Sequence, residues 1–389
     1  MDRGRPLTLM LVCGEPSGDA LGAQLMAALK ELTGDSVRIV GVGGEAMAAQ
    51  GLKTLFSLDD TAVMGLGDVV PKIPKILRRV REAADFAAQT KPDAVVLIDS
   101  PDFTHRIAQR IKAIAPRIVT INYVAPQVWA SRSYRARKMA GYFDLVLALL
   151  PFEPKFFEGY GLRSVFVGHP ALERAGRMRG GKEFRARHGI APDAPLLAVL
   201  PGSRTNEVRF IFPEFRKAVE LLAPRVPGLA TVIPTVPHVV AKVRASVAGW
   251  PVPLHIVEGE DEKFAAFDAA DAALAASGTV TTELALSRTP MVVAYKFGAM
   301  TYAVGKHLVH VKFVTIANLL LDREAIPEFL QDRCTAPLLA DAVLPLLTDP
   351  QAAARQVADL DEAMHRLGQG AEAPSLRAAR AILDFLKPG

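Results

Sequence analysis

Apolar runs of strand length recur along the chain at 7–13, 37–42, 94–98, 118–124, 145–150 and 165–167. Longer segments with helical spacing, such as 20–32 and 104–115, lie between them. A second series follows at 196–200, 230–233, 254–257, 272–275 and 291–294, separated by helical stretches such as 212–222 and 280–287. Runs that are apolar throughout, rather than at alternate positions, predict strands covered on both faces. Helices between them predict parallel pairing. The pattern therefore predicts two α/β lobes, 1–172 and 182–336, with a hinge rich in glycine and arginine at 173–181. From Pro337 to residue 389 the patterning is helical only.

Composition sharpens this picture in a few places. A chain of 389 residues, half of them hydrophobic, has ample material for two cores. A net charge of +5 suits an anionic partner but is too mild to indicate nucleic acid, and no nucleic-acid signature accompanies it. The two cysteines, Cys13 and Cys334, make neither a disulfide framework nor a metal site, which fits a reducing cytoplasm. Arg3 and Arg5 ahead of the run 7–13 imitate a signal peptide. The run is short, however, and breaks into Gly14-Glu15-Pro16-Ser17-Gly18-Asp19 without a cleavage pattern, so a first buried strand is expected. No apolar stretch approaches the roughly 20 residues of a membrane span, so the expectation is a soluble or peripherally attached protein.

Ligands of open parallel sheets bind beyond the carboxyl ends of the strands. Two glycine-bearing turns fall there in the second lobe. One is Pro201-Gly202-Ser203-Arg204 after the run 196–200, and the other is Ser277-Gly278-Thr279 after 272–275. A strand, a tight turn and a helix start aim free N–H groups and a positive helix end at an anion, and Arg204 adds a guanidinium. Two such turns predict a diphosphate, hence a nucleotide-linked substrate. Glu283 lies four residues after Thr279, on one helical face, where it either accepts hydrogen bonds from ribose hydroxyls or complements the helix dipole.

In the first lobe Asp99 ends the run 94–98 and opens Asp99-Ser100-Pro101-Asp102-Phe103. A carboxylate at that position suits a general base on a sugar hydroxyl, whereas Asp102 suits a helix cap. The loop from Gly14 to Asp19 resembles a phosphate loop without its Gly-Lys-Ser/Thr ending, and Ser17 or Asp19 equally suits a helix cap. His169 suits a structural hydrogen bond, and no histidines and carboxylates have metal-ligand spacing. Ile73, Ile76, Leu77 and Val80 follow helical spacing among Lys72, Lys75, Arg78, Arg79 and Arg81, with Met64 and Leu66 upstream. This pattern fits either a membrane-surface helix or a helix packed on the sheet with a cationic outer face.

Read in order, these segments resemble the lipid-A-disaccharide synthase family of glycosyltransferases. The matching stretches are Gly14 to Asp19, Ala62-Val63-Met64-Gly65-Leu66, Asp99 to Phe103, Tyr123-Val124-Ala125-Pro126-Gln127-Val128-Trp129-Ala130, Leu150-Pro151-Phe152-Glu153 and Gly168-His169-Pro170. Leu200 to Arg204, Ser277-Gly278-Thr279 and Asn318-Leu319-Leu320 complete the set. Pro16, Ser100 and Gln127 stand where the family usually has alanine, alanine and serine.

The resemblance implies a GT-B architecture of two Rossmann-like lobes whose sheets face a cleft. It also implies transfer, with inversion and without metal or cofactor, from UDP-2,3-diacylglucosamine to the 6-hydroxyl of 2,3-diacylglucosamine 1-phosphate. On that reading Asp99 is the base and Arg204 stabilises the leaving diphosphate. Gly202, Ser203, Ser277, Gly278, Thr279 and Glu283 complete the UDP site. Gly14, Glu15, Ser17, Gly18, Asp19, Asn122 and Gln127 face the acceptor. Met64, Leu66, Ile73, Ile76, Leu77, Val80 and Phe210 contact acyl chains or the cytoplasmic face of the inner membrane. The tail 337–389 packs back on the first lobe or is exchanged in a homodimer. The alternatives are a UDP-sugar epimerase of the same fold and a non-catalytic nucleotide-sugar-binding protein.

Overall fold

A computed structural model describes residues 6–61, 69–131, 133–296 and 312–387. The chain forms two units, one of Met1–Pro170 with Ala371–Gly389 and one of Ala171–Gly370. In the first, β1 (Leu7–Cys13), β2 (Val37–Val42), β3 (Ala94–Ile98), β4 (Val119–Tyr123), β5 (Leu145–Ala148) and β6 (Ser164–Phe166) form one parallel sheet. Its order is β2-β1-β3-β4-β5-β6. Every residue of β3 and β5 is buried, as the uninterrupted apolar runs predict.

The helices of this unit are α1 (Pro16–Thr33), α2 (Glu45–Ala49), α3 (Val69–Thr90), α4 (Pro101–Ile114), α5 (Val128–Ser131), α6 (Tyr134–Met139) and α7 (Glu153–Glu158). Leu25 and Leu29 of α1, Ala83 and Ala87 of α3, and Ile107 and Ile111 of α4 join the strand side chains in one core. Each of these three helices faces the core with residues four apart.

The second unit contains β7 (Leu196–Leu200), β8 (Ala230–Thr235), β9 (Leu254–Glu258), β10 (Ala272–Ala276), β11 (Met291–Tyr295) and β12 (Glu328–Leu330). They form a parallel sheet of order β12-β11-β10-β7-β8-β9. Its helices include α8 (Gly181–Arg187), α9 (Thr205–Leu222), α10 (Pro237–Ser246), α11 (Glu260–Ala269), α12 (Thr279–Leu286) and α13 (Ile316–Leu321). α14 (Ala336–Thr348) and α15 (Pro350–Leu367) follow, and α16 (Pro374–Leu386) is the last helix described.

Three boundaries differ from the sequence reading. The expected hinge at 173–181 is docked on the second unit: Arg177 binds Glu260 and Asp261, and Gly181 donates its N–H to Asp268. The tail is divided rather than acting as one block. Leu339, Ala340 and Val343 of α14 enter the second core, and Gln356 of α15 bonds both backbone groups of Met291. Only α16 joins the first unit, where Ala378, Ala379 and Ile382 are fully buried. Finally β12, three residues long and beginning with Glu328, carries no apolar run to announce it; that carboxylate accepts the N–H groups of Val314 and Thr315.

Candidate active site

Strand order reverses once in each sheet, between β1 and β3 in the first and between β7 and β10 in the second. At such a point adjacent loops run off in opposite directions and leave a crevice beyond the strand ends. In the first unit the loops concerned carry Gly14–Ser17 and Asp99–Ser100. In the second they carry Gly202–Arg204 and Ser277–Thr279. The principal candidates therefore stand where the topology opens each sheet.

The turn after β3 is strained. Asp99 and Ser100 both adopt left-handed backbone, with φ of 52° and 45°. Such positions cost of order 1–3 kcal/mol each and persist only where surrounding contacts impose them. Here Asp99 donates its N–H to Tyr123 O at 3.0 Å, and Thr104 Oγ1 donates to Asp99 O at 2.6 Å. Just past the end of the neighbouring strand stands a third unusual residue, Val124, with φ of 74°, a conformation that a β-branched side chain strongly disfavours. Ser17 Oγ donates to Asp99 Oδ2 at 3.3 Å, joining the two switch-point loops. Gly14 permits their approach, since a Cβ there would stand 2.8 Å from that of Ser100.

The remaining acceptor-side candidates divide. Glu15 and Gln127 are exposed. Gly18 is a packing residue, whose absent Cβ would meet Cys13 Cβ at 2.9 Å. Asp19 does not face the crevice, a correction to the sequence reading. Its carboxylate accepts the N–H groups of Gly44 (2.7 Å), Ala46 (2.9 Å) and Met47 (3.1 Å) and so caps α2. Asn122 is also corrected: it lies 1% exposed inside β4, because that strand is covered on both faces.

The amphipathic helix is likewise divided. Val80 is core at 5% exposure and Ile76 packs partly against it, which removes Val80 from the membrane set. Ile73 and Leu77 are exposed at 42% and 38%. Met64 and Leu66 lie outside the described residues. Lys75 and Arg79 are tied to Asp60, whose carboxyl they hold below the usual range, while Arg78 and Arg81 remain exposed. Phe210 is half-buried, with the Arg209 guanidinium 5.4 Å from its ring centre.

In the second unit the turn after β7 is built around Glu207, which sequence reasoning missed. Its Oε2 accepts the N–H groups of Ser203 and Arg204 at 3.0 and 3.1 Å. Its Oε1 accepts Arg204 Nη1 at 2.8 Å and Tyr295 Oη at 3.1 Å. The expectation that the N–H groups near Ser203 point at a ligand is thus corrected, for an internal carboxylate already occupies them. The i, i+3 spacing of Arg204 and Glu207 at a helix start was the available signal. Gly202, at φ 102°, is required twice, by its left-handed backbone and because a Cβ would overlap Glu207. Arg204 keeps its side chain 78% exposed despite this anchor, leaving guanidinium N–H groups for an anion.

The second turn is open. Gly278 and Thr279 are exposed at the start of α12, and no side chain caps that helix. The first N–H groups of any helix lack an intrahelical acceptor, so this end offers them outward. One turn further on, Glu283 is buried at 4% exposure. Arg174 Nη1 meets its Oε1 at 3.1 Å and Lys263 Nζ its Oε2 at 2.9 Å. These cations come from elsewhere in the chain and had no local sequence signal. Glu153, from the Leu150-Pro151-Phe152-Glu153 stretch, holds another loop in the first unit. It accepts Trp129 Nε1 and the N–H groups of Leu149 and Leu150, and burial pushes its carboxyl up to about 7 against those donors.

A family model described as Lipid-A-disaccharide synthetase matches residues 9–382. The lipid-A-disaccharide synthase of Rhodospirillum centenum is 47% identical over 382 residues, covering 98% of this chain and 95% of that protein. That of Paramagnetospirillum magneticum is 47% identical over 385 residues, covering 98% of each. Among solved structures, a UDP-GlcNAc 2-epimerase from Neisseria meningitidis bound to UDP-GlcNAc superposes with a TM-score of 0.63 at 12% identity, covering 98% of this chain and 99% of that one. MurG from Acinetobacter baumannii does so with 0.58 at 15%, with the same coverages. The distant structures share the fold alone. The sequence match spans almost the whole chain, and the chain belongs to the lipid-A-disaccharide synthetase family.

Proposed function

We propose that this chain is an inverting glycosyltransferase that joins UDP-2,3-diacylglucosamine to 2,3-diacylglucosamine 1-phosphate, releasing UDP and the β-1,6-linked disaccharide 1-phosphate. The observation that carries this reading is Asp99, a carboxylate in strained backbone at the switch point of the first sheet. Asp99 removes the proton of the acceptor 6-hydroxyl as that oxygen forms its bond to the donor's anomeric carbon. The bond from that carbon to the diphosphate breaks on the opposite face, and UDP leaves with the electron pair. Arg204 and the open N-terminus of α12 stabilise the charge that develops on the diphosphate. UDP is a weak enough base to leave without a general acid. Glu283 accepts ribose hydroxyls; Arg174 and Lys263 fix its orientation, and its oxygens retain lone pairs for them.

Acceptor-dependent UDP release is the direct test, measured in detergent with excess EDTA and followed by mass spectrometry of the product. A disaccharide formed under those conditions supports metal-independent transfer. Conversion of the UDP-sugar without acceptor would instead indicate an epimerase.

Both substrates carry acyl chains, and α3 supplies an apolar edge beside basic residues. Among the described residues no helix is long and apolar enough to cross a membrane. The proposed contact is peripheral, on the cytoplasmic face, through Ile73 and Leu77 with Arg78 and Arg81. Replacing Ile73 and Leu77 together by serine is expected to weaken partitioning onto anionic vesicles by about tenfold to a hundredfold, with the melting temperature little changed. Co-sedimentation checks this. Val80→Ser should instead cost about 2–4 kcal/mol of stability, because that residue is core.

A further inference from the structure

We infer that a cationic cavity beside the Asp99 loop binds the phosphate group of the lipid-sugar acceptor, an inference that rests on the transferase reading. The cavity has a volume of about 390 Å³ and lies wholly within the first unit. It opens between the start of α4, the loop after β4 and α6. Its lining includes Arg106, Arg135 and Lys138, with Tyr134, His105 and Asp102.

Exposed cations are usually solvated or matched by neighbouring carboxylates. These three have no ion-pair partner among the described residues, in contrast to Lys75 and Arg79 on α3. Arg106 is oriented by its Nε, which donates to Asp102 O at 3.0 Å, and its terminal nitrogens have no hydrogen-bond partner among the described residues. Lys138 lies 5.5 Å from the centre of the Tyr134 ring, which positions the ammonium without neutralising it. Asp102 is the one carboxylate in the lining, so the cavity keeps a net excess of two positive charges. His105 adds none, since burial lowers its pKa to about 4 and its Nδ1 is shared with Tyr142 Oη at 3.1 Å.

Such a site suits a compact dianion whose oxygens are shared among several donors, which is the chemistry of a phosphate monoester. Its position suits the acceptor. Asp102 on the rim is three residues from Asp99, and three residues of chain span at most about 11 Å. That is the scale of one sugar ring with its substituents. With the 6-hydroxyl at Asp99, a phosphate on the opposite end of the ring is within reach of this cavity, which Pro101 and Asp102 line. The same chemistry could come from an anionic lipid headgroup, and the experiment separates the two.

The variant is Arg135→Gln/Lys138→Gln, both on exposed positions of a short helix, with its melting temperature recorded. The acceptor KM is expected to rise by about a hundredfold or more, the loss that two charged hydrogen bonds imply, while kcat and donor KM change less than about twofold. Wild type should prefer the phosphorylated acceptor over its dephosphorylated counterpart, and the variant should lose most of that preference. Unchanged preference in the folded variant would overturn the inference, as would weaker binding to anionic vesicles with acceptor selectivity intact. Titration with inorganic phosphate, followed by NMR, reads the cavity without turnover. Saturable shifts in wild type that disappear in the variant support the site even if no sugar is transferred, and their absence from wild type counts against it.

Discussion

Asp99→Asn is expected to lower kcat by about 10²–10⁴-fold while leaving the affinity for UDP within about twofold of wild type. The substitution removes the proton acceptor and little else. Asparagine has the same shape, tolerates left-handed backbone at least as well as aspartate, and still accepts the hydrogen bond from Ser17. The strained turn therefore survives, and the melting temperature should stay within a few degrees. UDP affinity is preserved because the residues assigned to the nucleotide belong to the other sheet. Acceptor-dependent UDP release together with a UDP titration measures both quantities. A rate close to wild type would remove Asp99 as the base. Asp99→Ala is a poorer test, because it adds backbone strain of about 1 kcal/mol to the chemical loss.

Arg204→Ala should reduce kcat by about 10²–10³-fold, the scale seen when one preorganised donor is taken from developing charge. Its effect on folding should be small. The side chain is largely exposed, and Glu207 retains the N–H groups of Ser203 and residue 204 and the hydroxyl of Tyr295. Arg204→Lys keeps the charge without the planar fork and should recover only part of the rate. Steady-state kinetics of the two variants, beside thermal melts, separates charge from geometry. If the alanine variant lost stability as much as activity, Arg204 would be a brace for the turn and not a stabiliser of the leaving group.

Much of this was legible in the sequence because buried parallel strands leave continuous apolar runs and ligand loops follow them. Asp99, Arg204 and Thr279 were singled out as candidates by that rule alone. What the local pattern lacks is strand order. The reversals that select the loops after β1, β3, β7 and β10 come from long-range pairing, which no window of residues displays. The same limit explains Asp19 and Glu207. Each stands in a polar loop or helix start that looks like a ligand site, yet each spends its carboxylate on backbone N–H groups. Val80 and Leu77 are three residues apart on one helix with similar hydrophobicity, and only packing decides that one is core and the other surface. The tail gave no sign of its division either, since α14 and α16 are both apolar enough to join either core.

The division of the tail sets an order on biosynthesis. The second unit is a contiguous stretch inserted into the first, so a nascent chain carrying residues up to 370 has everything that unit requires. The first unit has its six strands early but lacks α16, whose Ala378, Ala379 and Ile382 complete its core. At roughly 5–20 residues per second, translating 171–370 takes on the order of 10–40 s. Through that interval the inner side of α1 and its neighbours waits uncovered on the ribosome. The half of the protein made first is thus the half finished last.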